Sequence, residues 1–400
     1  MTQEERWLTP GVGAIGAASL LADLGHEIPT SLLPSLLTST LGAPAAALGL
    51  IEGIADGLAG GARLAGGALA DDPQRRRATA VGGYTATAVL SAGVGLATSV
   101  WQVGVLRAGA WFARGLRVPS RNALLADVVP ASAYGRAYGF ERAMDSLGAI
   151  GGPLLALALV AAFSVRTAIL LSVIPGLLAA GAIVLAIRSV PRLERHERQP
   201  IRLRVRPVLH GDLGRLLAGV SLFEFGNVAA TLLILRATEL LDGDHSHTDA
   251  VQLALLLYVA YNAAATLASV PGGRLGDRRS TTLVLLLGVA AFAVAYTGFA
   301  LVGTQLALLA ILFIAAGIGI GLVETAEHAA VASLAPATLR GSAFGLLAAL
   351  QSFGNFAASA VAGLLWTIAS PRVAFAYLAF WMLASLALLL RFRHPKSVGS

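Results

Sequence analysis

The chain of 400 residues contains no cysteine. Disulfides, thiolate nucleophiles and Cys-ligated zinc or iron–sulfur centres are therefore excluded, and the usual clue to redox compartment is gone. Charge is scarce too: Asp, Glu, Lys and Arg make up 13% of residues, against about 25% in a soluble domain. A chain of this size with so little polar surface cannot cover its core in water. Its apolar content equally excludes disorder. Lysine is almost missing, since Lys396 is the single example among 29 basic residues. A net charge of +7 would suit nucleic acid, but the arginines stand in short clusters between apolar runs, as in membrane loops. No G-x-S-x-G, P-loop or H-E-x-x-H is present, so neither an enzyme nor a direct ATP-driven pump is expected.

Hydrophobic residues make up 56% of the chain, and the mean hydropathy is +0.75. A membrane-spanning helix needs about 20 mostly apolar residues. Twelve stretches meet that need, at 11–38, 45–70, 79–98, 101–124, 138–162, 167–188, 212–237, 250–274, 282–302, 305–332, 340–367 and 372–392. The first reads as a span rather than a cleavable signal peptide: it is long, poorly flanked by basic residues, and interrupted by Asp23, His26 and Glu27. Trp7, Trp101 and Trp366 stand near span ends as interfacial anchors.

Arg75–Arg77, Arg136, Arg142, the arginines from 188 to 206, Arg278, Arg279, Arg340, Arg391 and Arg393 fall on one face if the spans alternate. That face is expected to be cytoplasmic, with both termini inside. The 189–210 segment divides the chain into two sets of six spans. The expected organisation is an N-terminal six-helix bundle (1–188), a basic linker on anionic headgroups (189–210) and a C-terminal bundle (211–400). Opposite this face, the loop with Glu239, Asp242, Asp244, His245 and His247 is acidic and reads as solvated.

The halves repeat a motif. Gly67 precedes Asp71 by four residues, with Arg75 beyond. Gly273 precedes Asp277 likewise, followed by Arg278. The glycine permits close helix contact and the Asp suits a helix N-terminus or a neighbouring Arg. Such a latch stabilises one of two states and breaks when the halves rock. With these loops the sequence resembles the major facilitator superfamily, over essentially its whole length. The first copy departs from the pattern at Asp72 and Pro73, and the second at Ser280 and Thr281. Gly148, Gly152 and Pro153 resemble the signature of the proton-coupled exporters of that family, without its trailing glycines. The stretches around Glu52 and Asp56, Arg121 and Asp127, Glu141 and Asp145, and Glu324 and His328 resemble a bacterial branch whose cargo is unspecified.

The resemblance implies an all-α membrane protein of twelve transmembrane helices in two pseudo-symmetric bundles, with spans 1, 4, 7 and 10 lining a central site. Charges in spans are costly and should face a cavity or pair. Span 1 carries Asp23, His26 and Glu27, span 4 carries Arg107 and Arg114, span 7 carries Glu224 and Asn227, and span 10 carries Glu324, Glu327 and His328. Asp23–His26–Glu27 and Glu324–Glu327–His328 share the i, i+3, i+4 spacing of one helix face. Three readings stay open for these clusters: proton coupling or substrate binding, divalent-metal ligation by Asp23, His26, Glu27, Glu324, Glu327 and His328, or ion pairs within the fold. Glu52, Asp56, Arg117, Arg121, Glu141, Arg142 and Asp145 read as structural ion pairs.

The expected function is secondary active transport by alternating access, in the form of a proton-coupled exporter of small organic molecules. A divalent-metal exporter and a non-transporting receptor are the alternatives. The energy source is a proton gradient with no bound cofactor. The expected partners are the small-molecule or ion substrate, protons and membrane lipid, with no nucleic acid. A monomer in a bacterial cytoplasmic membrane is expected.

Overall fold

A computed structural model describes residues 7–189, 201–244 and 246–391. Among them the chain is helical, with no strand. The helices are α1 (Pro10–Ser35), α2 (Ala45–Ala70), α3 (Pro73–Gly93), α4 (Val100–Val128), α5 (Tyr134–Ala162), α6 (Val165–Leu171), α7 (Val173–Arg188), α8 (Val205–Val208), α9 (Gly211–Glu224), α10 (Ala230–Leu241), α11 (His247–Arg278), α12 (Thr281–Leu301), α13 (Leu306–Leu334), α14 (Arg340–Ile368) and α15 (Pro371–Arg391). α6 with α7 makes one crossing and α9 with α10 another, so the chain has the twelve-helix membrane fold expected from the sequence. Arg192, Arg195, Arg198, His245 and Lys396 lie outside the described residues.

Eight crossings are long and apolar enough to span a membrane by length and composition alone. The other four are α1, α2, α4 and the α9–α10 pair. α1 carries Asp23, His26 and Glu27, α2 carries Glu52 and Asp56, α4 carries Arg107, Arg114, Arg117 and Arg121, and the α9–α10 pair carries Glu224, with Asn227 between its two helices. The α9–α10 pair falls short because neither helix is long enough by itself.

The helix ends follow from local chemistry. The Thr9 side chain accepts from Val12 N ahead of Pro10, the first residue of α1. Asp72 caps α3 by accepting from Gln74 N and Arg75 N, with Pro73 at the first helical position, where its missing N–H costs nothing. The Asp72-Pro73 departure from the family pattern is therefore a helix start. Two crossings depart from the sequence reading: 167–188 is interrupted at Ser172, between α6 and α7, and 212–237 is not continuous. α9 ends at Glu224 and α10 begins at Ala230, with Gly226 and Asn227 in the gap.

The chain forms two compact units. Unit 1 comprises Met1–Ala137, Met144–Val208 and Ala335–Ala349, and unit 2 the remainder. Within unit 1, α2 and α3 pack on α4, and α1 and α3 pack on α7. Glycine makes the approaches close: a Cβ on Gly115 would lie 2.6 Å from Ala59 O. Small residues are the usual means of bringing helices together in lipid, where burial supplies no drive. Within unit 2, α11 and α12 pack on α13, and α12 on α15. Its core is aromatic: Phe292 meets Phe223 and Tyr296 edge-on, and Phe299 meets Phe313 at 5.3 Å. Each such pair contributes about 0.5–1.5 kcal/mol beyond its buried area. Leu157, Leu267 and Leu301 are exposed, as lipid-facing side chains must be.

Candidate functional site

In unit 1 the α1 triplet meets α4. Asp23 and His26 are each 5% exposed. Arg114 brings Nη2 to 3.4 Å from Asp23 Oδ1 and places Nη1 against the His26 ring. His26 Nδ1 lies 3.4 Å from Glu27 Oε1 and 3.8 Å from Asp23 Oδ1. The carboxyl of Asp145, on α5, lies beside that of Asp23. Arg121 stands 3.5 Å from the other side of Asp145 and donates to Ser19 Oγ at 2.9 Å. Asp145 is thus both the structural ion pair expected with Arg121 and a close neighbour of Asp23.

The glycines of the exporter-like signature bring α5 to this cluster. A Cβ on Gly148 would lie 2.8 Å from Asp23 Cβ and 2.7 Å from Leu20 O. One on Gly152 would overlap Glu27 Cβ. Gly148 and Gly152 therefore seat the α5 backbone directly on the two carboxylate-bearing residues. Pro153 is inside α5 and exposed, and the helix runs on to Ala162.

Arg107 does not join the triplet. Its guanidinium makes a bidentate pair with Glu52 at 3.0 and 3.1 Å, donates to Thr30 Oγ1 and stacks 3.5 Å over Trp111. The Trp111 indole donates to Asp56 at 2.7 Å and its ring centroid lies 4.7 Å from that of His26. Glu52 is an ion-pair partner as expected, while Asp56 serves as an acceptor for Trp111. Arg117 corrects the sequence reading: it has no ion pair among the described residues, and its guanidinium lies 3.9 Å over the Tyr84 ring.

Within unit 1, Gly67 and Asp71, the residues expected to form a latch after span 2, lie against the start of α14. A Cβ on Gly67 would meet Gly341 O at 2.7 Å, and Asp71 accepts from Ser342 N at 2.8 Å and from the Ser342 hydroxyl. Asp71 thus sits at the N-terminus of α14, where the helix dipole favours an anion. Burial pushes its carboxyl above the usual range, opposed by the two Ser342 hydrogen bonds. The buried arginine beside the latch is Arg76: Arg75 stands 3.8 Å from Asp72, whereas Arg76, 2% exposed, holds Ala70 O at 2.7 Å and Asp127. The second copy differs. Asp277 and Arg278 lie inside the last turn of α11 and Arg278 is exposed. Gly273 is buried.

In unit 2, Glu327 is fully buried and Glu224 is 2% exposed. Gln351 donates to Glu327 Oε1, whereas Oε2 has no hydrogen-bond partner. Asn227 donates to Glu224 at 3.0 Å, and its carbonyl accepts from Asn355 at 2.9 Å across the break between α9 and α10. His328 Nδ1 lies 2.6 Å from Glu324 O and 3.8 Å from Glu327 Oε1. Glu141 and Arg142 form a bidentate pair at 2.8 and 3.0 Å, and Arg142 stands 3.6 Å from Glu324. The expected Glu141–Arg142 network is therefore built around Glu324.

Sequence reasoning missed Gln351 and Gly354. A Cβ on Gly354 would lie 3.1 Å from Glu224 C, as Gly148 lies on Asp23. The signal was available: Asp145-Ser-Leu-Gly148 and Gln351-Ser-Phe-Gly354 repeat the same spacing. As for metal, no group of three or more His, Asp or Glu among the described residues is gathered in a ligating arrangement. The Arg114 guanidinium stands at the His26 ring, where a cation would be repelled.

The sequence model described as Major Facilitator Superfamily matches residues 15–240 and 217–400. An uncharacterised MFS-type transporter of Methanocaldococcus jannaschii is 27% identical over 378 residues, covering 94% of this chain and 93% of that one. An uncharacterised protein of Mycobacterium tuberculosis is 26% identical over 398 residues, covering 97% and 94%. A bacterial homologue of the iron transporter ferroportin, in its outward-facing state, has a similar structure: TM-score 0.76, 14% identity, covering 96% of this chain and 99% of that one. The human organic anion transporter MFSD10 gives a TM-score of 0.73 at 17% identity, covering 97% and 100%. The proton:xylose symporter XylE gives 0.71 at 15%, covering 97% and 96%. With both halves matched by one family of multi-pass membrane transporters, the chain belongs to the major facilitator superfamily.

Proposed function

We propose that this secondary transporter is a proton-coupled exporter of small organic molecules, working by alternating access with Asp23 and Asp145 as its proton-carrying pair. The observation that carries the reading is the proximity of their two carboxyl groups, with Gly148 seating α5 on Asp23. Two neighbouring carboxylates repel, and one proton shared between them removes the repulsion. Arg114 stands ready as the alternative partner of Asp23. Loading the proton frees Arg114, and losing it returns Asp23 to the guanidinium. His26, which touches both Arg114 and Glu27, extends the exchange. Glu27 and Arg114, whose side chains are 24% and 25% exposed, are the open members of the cluster and supply the polar contacts for cargo.

Export is supported by the Gly148, Gly152 and Pro153 signature. The proton gradient is the energy source in this reading, and the arginine-rich loops support termini on the cytoplasmic side of the cell membrane. Proteins of similar fold carry organic anions, iron or xylose by their names, so likeness of fold does not select the cargo. The metal reading draws no support from the Arg114-occupied α1 cluster.

The test uses inside-out membrane vesicles acidified by respiration and a lipophilic cationic dye quenched on accumulation. Wild-type vesicles should concentrate the dye, and a protonophore should release it. Asp23→Asn and Asp145→Asn should each abolish uphill accumulation while leaving dye binding by the purified protein intact. Uphill accumulation retained in both variants would refute the reading.

A further inference from the structure

Glu327 is the unusual acid of unit 2. It is fully buried on α13, and its Oε2 is the one carboxylate oxygen among the described residues that is buried without a hydrogen-bond partner. The donor on Oε1 is the uncharged Gln351 amide of α14. The basic side chains around it are engaged elsewhere. His328 Nδ1 is 3.8 Å from Glu327 Oε1 but 2.6 Å from Glu324 O, an acceptor that takes the Nδ1 proton. Arg142 of α5 pairs with Glu141 and stands 3.6 Å from Glu324. Glu224 of α9 adds a further negative charge to the field at Glu327. The phenols of Tyr261 on α11 and Tyr296 on α12 face the same group of acids and bring no charge.

The internal repeat sharpens the contrast. Gln351-Ser-Phe-Gly354 occupies the register of Asp145-Ser-Leu-Gly148. In unit 1 that register puts a carboxyl beside Asp23, and an arginine stands at each of the two acids. In unit 2 it puts an amide on Glu327, and among the described residues no arginine lies within ion-pair distance of Glu327. A charged carboxylate in that setting is costly, and a proton on Oε2 removes the charge. Glu324 gives the proton a way in. It stands three residues before Glu327 on the same helix face, and its side chain is 33% exposed.

We propose that Glu327 is a second proton-carrying site, loaded through Glu324 and positioned by Gln351. In the loading step the O–H bond of Glu324 breaks and a new O–H bond forms at Glu327 Oε2. Glu324 is left as a carboxylate beside Arg142, and Glu327 becomes neutral. Unloading reverses the step. Joined to the reading of Asp23 and Asp145, on which the stoichiometry rests, one cycle moves two protons. Exchange of two protons for a monovalent organic cation carries net charge, so the membrane potential drives it as well as the pH difference.

Infrared spectra of the purified full chain, recorded from about pH 5 to about pH 9, test the site. A carboxyl C=O stretch should titrate within that range, survive in Asp23→Asn and vanish in Glu327→Gln. Gln351→Met removes the amide that favours the charged form, so the band should persist to higher pH. That variant decides the matter if Glu327→Gln fails to fold. A band that Glu327→Gln leaves in place, a band that does not change with pH, or an unmoved midpoint in Gln351→Met would overturn the inference. These spectra need no cargo, so they stand apart from the transport reading. The inside-out vesicles test the stoichiometry. Nigericin in potassium buffer collapses the pH difference and leaves the potential. Wild type should still accumulate the cationic dye, and Glu327→Gln, reduced to one proton, should not. Equal accumulation in the two, or none in either, would overturn the two-proton cycle. Without nigericin both should accumulate the dye, and failure of wild type there counts against the transport reading alone.

Discussion

Gly148 of α5 lies directly on Asp23 of α1, with space for a hydrogen atom but not a methyl group: a Cβ there would come within 2.8 Å of Asp23 Cβ. Gly148→Ala should therefore push α5 away from Asp23. Overpacking of this kind costs about 1–3 kcal/mol. Thermal melting should show a clear loss of stability for Gly148→Ala and a smaller one for Gly13→Ala, where the same probe meets nothing within 4 Å. Equal losses at the two positions would remove the case for close packing.

The Arg107–Glu52 pair should behave as one unit. Arg107 is buried and its partner is about one-third exposed, so solvent screening reduces the coupling. A double-mutant cycle of Arg107→Met and Glu52→Gln should give an interaction of about 1–2 kcal/mol. Glu52→Gln alone should be destabilising, because it leaves a buried guanidinium short of its counter-charge. Additive single effects would show that the pair does not couple.

Arg75 and Arg76 are neighbours with opposite expected weight. Arg76→Ala removes a buried side chain that holds Ala70 O and Asp127, so a loss of about 3 kcal/mol or more is expected. Arg75→Ala should cost less, about 1 kcal/mol or under, because its side chain is partly exposed and its pair with Asp72 spans 3.8 Å. Chemical denaturation or melting of the two variants checks the order, and the reverse order would contradict the assignment of Arg76 as the latch residue.

Asp71 gives a pH dependence with a defined sign. Burial raises its carboxyl above the ordinary range, so the folded state binds the proton more tightly than the unfolded state. That stability is fully present below the unfolded value and is lost as pH rises through the folded one. The melting temperature of wild type should therefore fall relative to Asp71→Asn as pH rises out of the ordinary carboxylate range. A relative rise over the same interval would contradict the burial of Asp71.

Much of this architecture is legible in the sequence. The apolar runs locate the crossings, and the Gly67–Asp71 spacing anticipates a carboxylate on a helix N-terminus, which Asp71 makes with Ser342. The interruption at 225–229 is not legible, because Phe225-Gly226-Asn227-Val228-Ala229 is apolar enough to continue a span and lacks proline. Partner choice is not legible either. Arg107 and Arg114 lie two turns apart on α4, yet one takes Glu52 and the other Asp23. That division is set by how α1 and α2 pack on α4, which no local pattern encodes. By residue type Arg117 reads as an ion-pair member, and its actual contact is the face of Tyr84.

The shared proton of Asp23 and Asp145 can be observed without knowing the cargo. Infrared difference spectra of the purified protein at neutral pH should show a protonated-carboxyl C=O stretch that is present in wild type and lost in both Asp23→Asn and Asp145→Asn. A band unchanged by either substitution would mean that no proton resides between these two side chains, and the proposed coupling mechanism would fall with it.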